Sequence, residues 1–452
     1  MGARTGLTAA LAAFAALTLP ATAMAQDACL GFPAALREAV SFDPRIAGAA
    51  AGRDSARANL MAAYAQNRPN VQVFGQTGFN EVRPLDQTRD DQFGVQATLD
   101  LYTFGQRRAA QDAARAQLEA ARLGVASARI DVAEGVALAY LDVLRTQALA
   151  RLAAEEREAY REDAEAAAGR LERRVITLTD ASQIRSRFAV ARASVTDAEA
   201  AFEAALVRLS VLADQPVPCV APDSAVATLA SGAADTLALT PEGVFERAKA
   251  RSFALREARA NLNAASAGVR EANRANLPRI SANAFALTNY GEARIFDADG
   301  NPVFDPEAGG FATENTFSGD QRVGLSLRQD LYAGGRNKAR RADARARLKA
   351  ARSDIGLQEL ILEDRVRRAF AQARAAQTSG LALLEASREG RTRLDATLSE
   401  YQRGTKTLTD LVFATQDYYQ AASRETAARY DFYTALVRLY AAMGTLMDPV
   451  EG

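Results

Sequence analysis

The 452-residue chain has no histidine, no tryptophan, two cysteines and four lysines. Without histidine, a Ser-His-Asp triad, a Cys-His dyad and any histidine-bearing zinc site are excluded by count. Paired carboxylates such as Glu155-Glu156 lie on a charged helical surface and read as solvated or salt-bridged groups. Asp297-Ala298-Asp299-Gly300-Asn301 opens like a calcium loop, but no glutamate follows in place and Pro302 interrupts it, so it reads as an exposed turn. No catalytic, cofactor-binding or metal-binding residues are expected, and no enzyme. Acidic and basic residues balance at 55 each, which gives no support for nucleic-acid binding.

Long apolar runs are also missing beyond the start. Arg4, the apolar run Leu7–Leu19 and the small-residue site Ala23-Met24-Ala25 form a secretory signal, with cleavage expected before Gln26. No later window offers about 18 uncharged apolar residues, so no later helix is expected to span a bilayer. An exported chain of this kind is periplasmic, secreted or an outer-membrane β-barrel.

What the chain does contain is one plan used twice. Phe93, Val95, Ala97, Leu99 and Leu101 alternate with polar residues and glycine, and the strand runs into Tyr102-Thr103-Phe104-Gly105 and a long helix. Val323, Leu325, Leu327 and Leu331 alternate in the same way before Tyr332-Ala333-Gly334-Gly335 and a second long helix. Leu118, Val125 and Val132 recur every seven residues, the spacing of helices packed knobs-into-holes. Leu101-Tyr102 matches Leu331-Tyr332 at an offset of 230, and Leu178-Thr179-Asp180 matches Leu408-Thr409-Asp410 at the same offset.

The expected fold is mainly α with a small β part and an internal two-fold repeat. The signal occupies 1–25. Repeat one covers 26–213: a helix reaching about Arg68, a β-hairpin over 70–102 with a loop at Glu81–Asp91, a long helix over 104–173 and a helix over 181–212. A Pro-rich linker fills 214–240. Repeat two covers 241–445: a helix from Pro241 to Asn276, a hairpin over 279–332, a long helix over 336–404 and a helix over 408–444. A tail occupies 446–452. In each repeat the two shorter helices, stacked end to end, match the long one. Each strand suits a membrane span of about 9–11 residues. Phe93, Val95, Leu99, Val323, Leu325 and Leu327 are the candidate lipid-facing side chains. Four strands cannot close a barrel, and open edges do not survive in lipid, so closure requires oligomerisation.

With this duplicated plan, the chain resembles the TolC-like outer-membrane efflux family. The duplicated plan, the two Leu-Tyr-x-x-Gly junctions and the segment Tyr401–Asp410 carry the resemblance, which covers everything after the signal. It implies a homotrimer with a 12-stranded β-barrel in outer-membrane lipid and an α-helical barrel in the periplasm. It also implies docking with a periplasmic adaptor (membrane fusion) protein and an inner-membrane pump or ABC exporter. The implied function is an exit duct for small-molecule efflux or type I protein secretion. A periplasmic coiled-coil scaffold without a pore is the alternative, against which the two hairpins argue.

The resemblance further implies a gate at the periplasmic tip built from Tyr401, Lys406 and Asp410, with Asp180 in the partner turn. The plain reading of Asp180 and Asp410 is a helix N-cap. Many members carry a second aspartate three residues after the first, where this chain has Phe413. Cys29 and Cys219 fall near the middle of the implied helical wall. In an oxidising compartment they are expected to pair, pinning the N-terminus to the linker.

Overall fold

The computed structural model describes residues 29–82, 86–221, 229–230, 233–307 and 309–448. The expected signal, 1–25, lies outside them.

Helices account for most of the chain: α1 (Phe32–Phe42), α2 (Pro44–Ala65), α3 (Gln106–Glu172), α4 (Leu178–Ala213), α5 (Ala233–Leu237), α6 (Pro241–Arg251), α7 (Phe253–Arg274), α8 (Arg336–Gln402) and α9 (Leu408–Met443). The long helices α3 and α8 have 67 residues each, about 100 Å. α4 and α9 have 36 each. α2 and α4 flank α3, while α7 and α9 lie between α3 and α8, giving four helical columns side by side.

Two expected helices prove to be pairs. The run toward Arg68 breaks at Asp43, because Pro44 disfavours a helical conformation in the residue before it. Asp43 is extended, and its carboxylate accepts from the Arg45 N–H at 2.8 Å. The run from Pro241 breaks at Ser252, whose Oγ accepts from the Leu255 N–H at 3.2 Å. Neither break divides its column: α1, α2 and α4 contain 11, 22 and 36 residues, against 67 in α3.

The strands are β1 (Asn70–Val82), β2 (Asp86–Tyr102), β3 (Arg279–Arg294), β4 (Phe304–Asp305), β5 (Gly310–Phe311) and β6 (Thr313–Arg328). Of the expected loop at Glu81–Asp91, residues 81–82 and 86–91 are strand instead, paired down to Val82 opposite Asp86, and 83–85 lie outside the described residues. Its polarity suggests a loop, but the ladder joins backbones and tolerates polar side chains beyond the apolar zone. The second strand of the expected hairpin over 279–332 ends early: β6 stops at Arg328, leaving Leu331 outside it. Gly334 and Gly335, at φ 57° and 85°, then turn the chain into α8. β4 and β5 form a small hairpin between β3 and β6. There Asp297 accepts from the backbone N–H groups of Asp299 and Asn301, at 3.0 and 2.8 Å, so the acidic run is a self-bonded turn.

β1, β2, β3 and β6 form an antiparallel sheet in that order. The register aligns Val71 with Ala97, Val73 with Val95, Val95 with Ala286, Leu99 with Ala282 and Ala282 with Leu325. One apolar face thus runs unbroken across all four strands. Phe93, Val95, Val323, Leu325 and Leu327 on it are exposed, and Leu99 is half-buried. The opposite face carries Gln96, Thr98, Asp100, Asn283, Ser326 and Arg328. Gly94 lies on that polar face, where a Cβ would come within 2.9 Å of the Phe74 ring and 2.8 Å of the Ala286 oxygen.

The largest core sits midway along the helical columns, around Val132, Val136, Tyr140, Leu144, Leu209 and Val437. Val217, Val220 and Leu229 of the expected linker, 214–240, are built into it, while 222–228 and 231–232 lie outside the described residues. Leu30 and Val220 bridge in parallel, and the Tyr140 hydroxyl lies 2.8 and 2.7 Å from the carbonyl oxygens of Leu30 and Ala221. The expected tail is not free throughout. Gly444, at φ 68°, reverses the chain, and Leu446 and Met447 are buried in the same core. Cys29 and Cys219 form a disulfide beside the Leu30–Val220 bridge, with Cα atoms 4.7 Å apart and a sequence separation of 190.

A loop of that length gives a chain-entropy stabilisation of about 5 kcal/mol. Cys219→Ser is expected to lower the thermal midpoint, and titration of unfolded protein should find two thiols only after reduction. An unchanged midpoint, or two thiols before reduction, would show that the bond does not contribute.

Candidate functional site

The four helix ends farthest from the sheet meet in two turns, 173–177 and 403–407. The turns are near copies. In each, a threonine caps the following helix and an aspartate closes a capping box. The Asp180 N–H donates to Thr177 Oγ1 at 3.2 Å, while Thr177 N–H donates to Asp180 Oδ2, also at 3.2 Å. The same two bonds join Asp410 and Thr407 at 3.2 and 3.0 Å. The N-cap reading of the aspartates is therefore corrected: Thr177 and Thr407 are the caps, and the aspartates occupy the third helical position. The helices accordingly start at Leu178 and Leu408, the first of them three residues before the expected 181. Bonds to Thr407, aided by the nearby Lys406 and Arg393 charges, hold the Asp410 carboxyl below the usual carboxylate range.

The turns differ at one backbone position. Gly404 takes the left-handed conformation at φ 82°, and its counterpart Arg174 takes it at φ 55° with a side chain attached.

Beneath the turns lies a satellite core of Tyr160, Ala167, Ile184, Ala191, Leu408 and Val412. Tyr401 packs against it, half-buried, with the Arg170 guanidinium 4.3 Å from its ring centroid. Tyr401 thus ties the end of α8 to the end of α3. Burial raises the Tyr401 hydroxyl pKa, against the opposing effect of Arg170. Lys406 is exposed and makes no ion pair among the described residues. Phe413, one turn into α9, is 49% exposed. The structure therefore brings Tyr401 and Leu408 together with α3 and α4. It holds Asp180 and Asp410 in their own turns and leaves Lys406 and Phe413 uncovered.

Arg170 and Asp163 belong to this site and were not singled out by motif. Tyr160, Asp163, Ala167 and Arg170 recur at three- and four-residue spacing along one side of α3, so a carboxylate interrupts a packing seam. Burial pushes the Asp163 carboxyl up to about 6, reinforced by Glu162 and opposed by Arg170.

The fold matches solved outer-membrane channels. VceC from Vibrio cholerae superimposes with a TM-score of 0.72 at 18% identity, covering 91% of this chain and 96% of that one. MtrE from Neisseria gonorrhoeae, in its open state, gives a TM-score of 0.70 at 18% identity, covering 92% and 89%. The outer membrane efflux protein family model matches residues 35–213 and 244–445. Outer membrane protein TolC of Vibrio cholerae is 24% identical over 416 residues, covering 91% of this chain and 90% of that protein. Outer membrane efflux protein BepC of Brucella suis is 24% identical, covering 86% and 79%. These findings define an outer-membrane channel with a large periplasmic part, not an enzyme. The chain belongs to the outer membrane efflux protein family.

The raised Asp163 pKa has a consequence for stability. A carboxyl whose pKa is higher folded than unfolded stabilises the fold fully below pH 3.8, and that stabilisation is lost as pH rises through about 6. Above pH 6 the buried charge is a penalty of about 1–3 kcal/mol. Asp163→Asn is expected to raise the thermal midpoint at pH 7.5 and to leave it unchanged at pH 4. Equal midpoints at both values would mean that Asp163 titrates as a solvated group.

Proposed function

We propose that three copies of this chain form a continuous exit duct across the outer membrane and periplasm. One observation carries the reading: a four-stranded sheet with an unbroken apolar face and two open edges, mounted on four helical columns. Hydrocarbon leaves no unpaired edge unpenalised. Pairing β6 of one copy with β1 of the next removes every edge, and three copies give 12 strands. The polar sheet face then lines a watery lumen, and Leu325 and its neighbours meet lipid. The equal offsets between α3–α4 and α8–α9 support an internal two-fold repeat, so the trimer would present near six-fold ends to its partners.

At the far end, the turns around Asp180 and Asp410 converge on the three-fold axis as a gate. Tyr401 is anchored by Arg170 of its own chain, which leaves Lys406 to reach the neighbouring copy. Asp410 supplies a ring of like charge, which favours cations. Phe413 replaces a second acidic ring with an apolar one. An adaptor and an inner-membrane pump or exporter would dock at these turns and open them, for efflux of small molecules or secreted protein.

Two measurements test the reading. Replacing Lys406 with Ala and Tyr401 with Phe together should raise single-channel conductance in planar bilayers, and Asp410→Ala should lower cation preference. Wild-type behaviour of both variants would move the constriction elsewhere. Leu325→Arg should destabilise the folded, inserted protein by about 2–4 kcal/mol, measured by refolding into bilayers. A change below about 0.5 kcal/mol would remove Leu325 from the lipid face.

A further inference from the structure

The first turns of α8 carry a set of charges that the duct does not use. Lys338, Arg341, Arg345, Lys349 and Arg352 follow one another at intervals of three, four, four and three residues. At about 100° per residue all five fall within an arc of about 80°, in a stripe about 21 Å long. Four are exposed and Arg341 is half-buried. Among the described residues none of the five makes an ion pair, although Arg336 and Arg347 beside them pair with Asp330 and Asp343.

The equivalent positions of α3, 230 residues earlier, are Arg108, Gln111, Arg115, Glu119 and Arg122. There Arg115 pairs with Asp112 and stacks on Tyr64, and Arg122 pairs with Glu119. The uncompensated stripe is therefore a property of α8 and not of the shared helical plan.

The stripe faces the side of the apolar sheet surface. Arg340 and Arg347 lie across α8 from it, in a groove shared with Gln106 and Glu271. Gln106 and Glu271 also line a cavity with Thr98 and Asp100, which belong to the polar sheet face. Polar sheet face and Arg340–Arg347 groove thus share one side of the molecule, and apolar sheet face and basic stripe share the other. The stripe begins just below the foot of the sheet, where Leu331 and Tyr332 are exposed and Tyr102 stacks edge-on against Phe104 at 4.6 Å. Aromatic residues at the foot of a spanning sheet mark the membrane interface.

We propose that this stripe is a binding site for anionic phospholipid in the leaflet at the foot of the sheet. The assignment rests on the reading of the apolar sheet face as the lipid face. The headgroup zone extends about 5–7 Å beyond the hydrocarbon, and lysine and arginine reach toward it on long flexible stems. Electrostatic attraction to a charged leaflet fades within a Debye length of about 8–10 Å. Lys338, Arg341 and Arg345, spread over about 10 Å of helix, hold the headgroups, and Lys349 and Arg352 add less.

Native mass spectrometry of the full, delipidated assembly, titrated with phosphatidylglycerol or phosphatidylcholine, tests this. Wild type should prefer phosphatidylglycerol by about tenfold. The variant K338Q/R341Q/R345Q should lose the preference. K349Q/R352Q should lose less than about half of it, and R108Q/R115Q/R122Q on α3 should keep it. No preference in wild type, or an undiminished one in the α8 triple variant, overturns the proposal. So does a triple variant that keeps its lipid preference while losing crosslinks to a periplasmic protein, which would make the stripe a protein-docking face. Conductance in neutral bilayers separates this from the duct itself. The triple variant should conduct like wild type, and a wild type that forms no pore contradicts the duct and not the lipid site.

Discussion

The outer edges of β1 and β6 present backbone N–H and C=O groups with no partner strand in the chain's sheet. In water such edges would be solvated. In hydrocarbon each unmet group costs several kcal/mol. In the proposed duct the apolar face across these strands lies in hydrocarbon, and a neighbouring copy would meet the edges. The helical columns follow the same division: each strand pair hands the chain to a long helix.

Both hand-over points need unusual backbone. Gly105 and Gly335 sit at φ 79° and 85° just before α3 and α8. At the first, the Arg274 guanidinium donates to the Gly105 oxygen at 2.8 Å and lies where a side chain would project. Strand direction and helix direction are thereby tied together at the first junction. The disulfide and the Tyr140 contacts do the corresponding work halfway down, where helices end and begin and the columns would otherwise be weakest.

The architecture was legible because its periods are written directly in the residues. The alternation at Phe93–Leu101 follows the pleat, and Leu118, Val125 and Val132 follow the helix seam, all three buried. Polar composition misled at Gln87–Asp91, since strand pairing there is made by backbone. Ser252 gave no proline to mark its break, whereas Pro44 was a readable signal. At the tip, Asp180 and Asp410 were readable from the matching segments 178–180 and 408–410, and Tyr401 from the family resemblance. Their partners were not. The Arg170–Tyr401 contact joins side chains 231 positions apart, and such pairs have no local signature. Asp163 left a faint one, a carboxylate in a seam otherwise made of Tyr160 and Ala167.

Edge closure is the claim on which the duct depends, and hydrogen exchange reports on it directly. In the assembly extracted from the outer membrane, amides of β1 and β6 should exchange as slowly as those of the inner strands β2 and β3. Exchange of the outward-facing β1 and β6 amides at rates typical of free edges, with β2 and β3 protected, would contradict closure by neighbouring copies.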